Sequence, residues 1–325
     1  MRLTPSKPFD FERTLRFLLH SPMPAKGRQS LSWPDYFEKG EYRRVITLSG
    51  EPALYGVRME PDGTDRALRV RIIRGRCDAA SRAAVAELVS RQFGLPLDLR
   101  PFYRLAQGDP VLSRLLPRFR GTRIPQTPRP FEALVAAVLG QQVNVTFARQ
   151  VKAALVRAFG VAIEFCGQLY YAFPEPEALA ISSAARLRKL QISAPKAEYI
   201  IGLSRAVLDG RLDLERLREL PPAEATRRLR EHPGVGPWTA EYVGMRGLEQ
   251  RDCLPAQDAG LQKAIQFFYG LRRRASPLQA ERLARNWAGW RSYGTFYLWL
   301  AFREDPAWRA RLRAKIAGNA RRSKR

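Results

Sequence analysis

The spacing of apolar positions changes character along the chain. Residues 9–20 carry Phe11, Leu15, Leu18 and Leu19 at helical intervals, which predicts a first helix ending near His20. The pattern then shortens. Tyr42-Arg43-Arg44-Val45-Ile46-Thr47-Leu48, residues 53–59 and Leu68-Arg69-Val70-Arg71-Ile72 alternate and favour β-branched side chains, so they read as antiparallel strands. Pro61-Asp62-Gly63 supplies a turn between two of them. Residues 79–93 return to helical spacing. These elements predict a small α+β domain over residues 1–110.

From Leu112 onward the alternation fades. Gly121 to Pro130 is proline-rich and reads as a connector. Phe131, Leu134, Val135 and Val138 then form a helical stripe. Further helices are expected at 144–159, 176–190, 195–208 and 223–231, from about Trp238, and at 259–270, 277–287 and 292–303. The expectation is a mostly α protein, with an N-terminal antiparallel-sheet domain followed by an all-helical domain over 111–308. Residues 309–325 hold eight basic side chains and no acidic one, either a solvated end or an arm that touches DNA without regard to sequence.

Composition narrows the class of partner. The formal charge of +25 over 325 residues favours a polyanion, nucleic acid first. Only nine of the 56 basic residues are lysine, so an arginine-biased genome contributes. Such bias would not lower the acidic count to 31. No apolar run is long enough to span a bilayer and no signal-peptide pattern opens the chain, so a cytoplasmic, nucleoid-associated protein is expected. Cys77, Cys166 and Cys253 lie far apart and match no disulfide framework or zinc spacing. An iron–sulfur cluster takes about four thiolates, more than the chain has. The two histidines, His20 and His232, make no metal site. No oligomerisation stripe is evident, and a monomer is expected.

The candidate chemistry sits between residues 230 and 263. Pro233-Gly234-Val235-Gly236 can turn one helix into another. The glycine N–H groups stand at a helix N-terminus, where an anion is favoured and a phosphate can approach without meeting a side chain. Such a contact ignores base sequence. A bare Gly-x-Gly would be an ordinary turn between helices. Here Leu229, Pro233, Gly234, Val235, Gly236, Thr239 and Ala240 make a longer string, and Asp258 heads the next helix. Asp258 there reads as a plain N-cap, and a helix N-terminus also favours its negative charge, so capping is compatible with a further role for an ionised carboxylate.

This string resembles the helix-hairpin-helix of DNA base-excision glycosylases, with Asp258 at the spacing of their catalytic aspartate. Bifunctional members carry lysine where this chain has Trp238, and Lys263 lies too far along the following helix to replace it. Further matches point to the DNA-3-methyladenine glycosylase II family. They are Phe131-Glu132-Ala133-Leu134, Leu139-Gly140-Gln141-Gln142-Val143-Asn144, Lys196-Ala197-Glu198-Tyr199-Ile200, and Trp290-Arg291-Ser292-Tyr293-Gly294 with Leu298-Trp299. The resemblance spans roughly residues 5–305.

The resemblance implies a monofunctional enzyme that acts on damaged double-stranded DNA, flips a nucleotide out and hydrolyses its glycosidic bond. Gln142 would fill the vacated stack, where other members place an aliphatic residue, or else it caps the next helix. Gly234, Gly236, Thr239, Gln141 and Arg291 would contact DNA. Trp238 and Tyr242, four apart on one helix face, would line the base pocket with Trp299 and Phe17; core packing is the plainer reading of that pair. An alkylated purine is cationic, suits an aromatic face and already leaves readily. Asp258 would stabilise the cationic sugar and orient or deprotonate the water. The backbone carbonyls of Arg230, His232 and Val235 would hold a monovalent cation, with no cofactor required. Ala259 and Gly260 depart from the bulky residues of some members and imply a wider pocket. Two alternatives stay open: a glycosylase for a deaminated or oxidised base, and a non-catalytic helix-hairpin-helix DNA-binding protein.

Overall fold

The computed structural model describes residues 1–19, 34–60 and 67–305. His20, the Pro61-Asp62-Gly63 turn and the basic tail 309–325 lie outside the described residues. By compactness the chain divides into two units. The first comprises Met1–Leu99 and Gly121–Cys253, and the second Arg100–Arg120 and the segment from Leu254 onward. A boundary near residue 110 therefore falls inside the second unit's first segment.

The first unit contains a five-stranded antiparallel sheet in the order β1-β5-β4-β3-β2. Its strands are β1 Arg2–Leu3, β2 Tyr36–Glu38, β3 Glu41–Leu48, β4 Glu51–Met59 and β5 Leu68–Arg74. The three long strands match the alternating stretches. β1 and β2 are too short to leave a periodic signal and exist by pairing at the sheet edges, Arg2 opposite Arg69 and Tyr36 opposite Arg43. One face buries Tyr42, Val57 and Val70 with Leu15 of the helix Phe11–Leu19 and Val85, Leu88 and Val89 of the helix Ala79–Gln92.

The other face corrects the expectation of an all-helical second half. Ala162–Phe165 (β6) and Gln168–Tyr171 (β7) form an antiparallel hairpin. Ile163 and Tyr170 pack with Val45 and Leu54 of the sheet. Cys166 and Gly167 take φ of +51° and +72°, the twist that a two-residue hairpin turn requires. The signal was present in Ile163, Phe165 and the Cys-Gly pair, but four-residue strands fall below reliable periodicity.

Charges buried beside the sheet are paired. The Arg44 guanidinium lies between the carboxylates of Asp35 and Glu132, each nearly inaccessible to solvent. Tyr42 donates to Asp35 at 2.6 Å, and Gln92 links Tyr42 to Tyr55. Glu41 is 1% exposed and receives Arg43 and Arg71 at 2.8 and 2.9 Å. Burial pushes its carboxyl up, but these two guanidinium groups, with that of Arg58 at 3.1 Å, outweigh burial and hold it below its ordinary value.

Helices make up most of the rest. The expected helix 176–190 splits into Pro176–Ala180 and Ala184–Arg188, because Ser183 starts a new helix by accepting from the Arg186 N–H. The expected helix 277–287 stops at Ala284 and finishes as a 3-10 turn. In the second unit, Phe102, Trp290, Tyr293 and Tyr297 pack ring to ring. Buried Asp109 ties the unit's two chain segments together. It accepts Tyr269 Oη at 2.8 Å and Trp287 Nε1 at 2.9 Å, and its Oδ1 also accepts the N–H groups of Val111 and Leu112. Burial and the Asp109 charge push the Tyr269 phenol far above its ordinary value. Among the described residues, no helix is long and apolar enough to cross a membrane.

Candidate nucleic-acid interface and active-site residues

The helices Pro222–Leu229 and Pro237–Arg246 flank the glycine turn. Gly234 has φ +83°, a conformation other residues rarely take, and a Cβ there would lie 2.6 Å from Tyr199 Cδ2 and 2.7 Å from Tyr199 Cβ. Gly236 caps the second helix with no side-chain bond, and a Cβ on it would meet nothing within 4 Å. Val235 N–H is spent on the His232 carbonyl at 3.1 Å. The N–H groups of Gly234 and Gly236 donate to no group among the described residues. Two unspent donors thus sit where the helix dipole favours an anion. Burial, with the Arg211 charge, holds His232 below its ordinary pKa.

The 140–144 loop is fastened to this turn. Gln141 donates from Nε2 to the Gly234 carbonyl at 2.8 Å and to Thr239 Oγ1 at 2.9 Å. Lys196 donates to the carbonyls of Leu139 and Gln141 at 2.9 and 2.7 Å, and burial lowers its pKa. Gln141 and buried Thr239 therefore turn their side chains inward, where they position the loop and hairpin. Gln142 is exposed with φ +56°. It does not cap the following helix; Asn144 does, accepting from Phe147 N–H at 2.9 Å.

An aromatic row runs along the hairpin helix. Trp238 and Tyr242 stack with centroids 5.3 Å apart and planes 25° from parallel. The Arg246 guanidinium lies 5.9 Å from the Tyr242 centroid and 5.2 Å from that of Phe17, which is buried. Arg246, itself buried, donates to the Pro125 carbonyl at 2.8 Å. Sequence reasoning missed Arg246. Its place four residues beyond Tyr242 was the available signal, since positions 238, 242 and 246 share a helix face.

In the second unit, Asp258 is the N-cap of the helix Ala259–Phe268. Its Oδ1 accepts Leu261 N–H at 2.7 Å and Trp299 Nε1–H at 3.1 Å. Trp299 thus meets Asp258 through its polar edge, not only as an apolar wall. Ala259 is exposed and Gly260 half-buried. Arg291 begins the helix Arg291–Glu304 and is half-exposed. Among the described residues, no three His, Cys, Asp or Glu side chains gather as a metal site.

A glycine hairpin with unspent amides, an aromatic face on its second helix and an aspartate at the head of the next helix define a class. Residues 135–289 match the HhH-GPD superfamily of base excision DNA repair proteins. Within that superfamily, the chain belongs to the DNA-3-methyladenine glycosylase family. It is 37% identical over 218 residues to DNA-3-methyladenine glycosylase of Bacillus subtilis, covering 67% of this chain and 72% of that one. DNA-3-methyladenine glycosylase 2 of Escherichia coli is 30% identical over 260 residues, covering 80% and 82%. The solved 3-methyladenine DNA-glycosylase from Archaeoglobus fulgidus superposes with a TM-score of 0.79 at 27% identity, covering 94% of this chain and 99% of that one.

Proposed function

We propose that this protein is a monofunctional DNA glycosylase that hydrolyses the N-glycosidic bond of alkylated purines. The observation that carries the reading is Asp258, whose carboxylate is fixed by Leu261 N–H and Trp299 Nε1–H at a helix N-terminus. A fixed anion stabilises positive charge developing on the sugar without reorganising as the bond breaks. The same carboxylate orients the attacking water and takes its proton.

The remaining residues divide the other tasks. The amides of Gly234 and Gly236 bind a backbone phosphate. The Gln141 and Lys196 bonds hold the loop that presents Gln142 to the gap left by the flipped nucleotide. The stacked faces of Trp238 and Tyr242 attract a base made cationic by alkylation, a contact worth about 0.5–2 kcal/mol. Such a base departs without help from a second acid. Trp238 occupies the position of the lyase lysine, so no Schiff base forms and the abasic product stays unnicked. The carbonyls of Arg230, His232 and Val235 are the groups a monovalent cation would use at the turn.

Asp258→Asn is expected to abolish base release while duplex binding persists; undiminished release overturns the mechanism. Borohydride on lesion DNA is expected to trap no covalent adduct, and an adduct refutes the monofunctional reading. Base release from duplexes holding methylated purines, ethenoadenine or hypoxanthine separates alkylpurine specificity from activity on other lesions.

A further inference from the structure

The helix Ala259–Phe268, capped by Asp258, carries glycine at its second position, although glycine is a poor helix former. Gly260 does not adopt the left-handed φ that would call for glycine. Space does call for it. A Cβ on Gly260 would lie 2.9 Å from Asp258 Oδ1, 3.7 Å from Trp299 Nε1 and 3.9 Å from Trp299 Cδ1. Real Cβ atoms do not approach other heavy atoms within 3.0 Å, so either the carboxylate or the helix would have to move. The oxygen it would strike is the one that accepts both Leu261 N–H and Trp299 Nε1–H.

We propose that Gly260 and Trp299 are positioning residues for the reaction. Trp299 clamps the Asp258 carboxylate through its indole N–H, and the missing side chain at 260 keeps the space in which the clamp closes. The inference rests on the reading of Asp258 as the catalytic carboxylate. It gives the small residue at 260 a role distinct from widening a pocket: the glycine fixes where the charge sits.

The test uses the full chain and a duplex containing one 7-methylguanine. Asp258→Asn, Gly260→Ala, Trp299→Phe and the Gly260→Ala/Trp299→Phe double variant are compared by single-turnover release rate, half-saturating enzyme concentration and thermal midpoint. Gly260→Ala is expected to lower the rate about ten- to one-hundredfold, the worth of a hydrogen bond to a charged group. Half-saturation should stay within about threefold, because ground-state binding is not involved. The thermal midpoint should change by only a few degrees, since alanine's better helix preference, about 1 kcal/mol, offsets a weakened Leu261 cap, about 0.5–2 kcal/mol. Trp299→Phe keeps an aromatic ring there, removes the indole N–H and should reproduce the rate loss. The double variant should fall little below the worse single variant, because both act through one oxygen. Wild-type release by Gly260→Ala, with Asp258→Asn inactive, overturns the inference. A rate loss accompanied by a lower midpoint and weaker binding also overturns it, as a general packing defect. Wild-type release by Asp258→Asn instead sinks the reading of Asp258 on which it rests.

Discussion

Replacing Gly234 by alanine adds one methyl group where two separate constraints exclude it. At φ +83° an L-residue carries a backbone penalty of about 1–2 kcal/mol. The methyl would also stand 2.6–2.7 Å from the Tyr199 side chain, and overpacking of that kind costs about 1–3 kcal/mol. Alanine narrows the unfolded ensemble and returns about 0.4–1 kcal/mol. The net loss is about 1–4.5 kcal/mol, or roughly 2–18 °C of thermal midpoint for a domain of this size. Gly236→Ala is the control. Its φ is −81° and nothing lies within 4 Å of the added methyl, so stability should fall by no more than about 1 kcal/mol, the difference between glycine and alanine at an N-cap. That methyl does stand on the face a phosphate would approach. Midpoints from circular dichroism, read beside duplex affinity from fluorescence anisotropy at fixed salt, separate the two effects. Gly234→Ala should unfold early, whereas Gly236→Ala should fold normally and bind undamaged duplex more weakly. A Gly234→Ala protein that melts with the wild type would refute the packing argument. Wild-type affinity in Gly236→Ala would refute the phosphate contact.

Glu41→Gln is expected to cost about 1–3 kcal/mol near neutral pH, because Arg43, Arg58 and Arg71 lose their anion. The folded carboxyl is held below its ordinary value, so its contribution is complete above the unfolded pKa of about 4.3 and is lost as pH falls through the folded value. Melting curves of wild type and variant should therefore converge as pH falls below about 4, and a constant gap would sink the argument. Gln141→Ala removes both bonds from the 140–144 loop to the hairpin and leaves the buried Thr239 hydroxyl without that donor, at about 1–3 kcal/mol. Base release should slow more on a paired lesion than on a mismatched one, which is easier to flip; equal slowing would count against a positioning role for Gln141.

Local backbone demands left the clearest marks in the sequence. Pro233-Gly234-Val235-Gly236 was legible because few residues accept the turn that Gly234 makes, and Asp258 because an aspartate before an apolar helix is a capping signal. The three long strands were legible from their alternation. Long-range pairing left no such mark. Arg44 and Glu132 meet across 88 positions, and neither shows a periodic pattern that names the other. Trp299 could be suspected as an aromatic wall, but nothing in its neighbours says that its N–H points at Asp258, 41 residues away. The β6–β7 hairpin escaped because its strands are short and draw their stability from the sheet they cover.

Asp109 sets an order of events during synthesis. Its carboxylate waits for Tyr269, 160 residues later, and for Trp287, 178 residues later. At about 5–20 residues per second, the first partner leaves the peptidyl-transferase centre roughly 8–32 s after Asp109 does. During that interval the ribosome is still adding Gly121–Cys253, which belong to the other unit, and only after them come the residues from Leu254 onward that complete the core of Arg100–Arg120. The helices Arg100–Gln107 and Leu112–Phe119, rich in Phe, Tyr and Leu, must therefore stay soluble before their own core exists. A chaperone at the ribosome would serve this segment by covering its apolar faces until Tyr269 and Trp287 arrive.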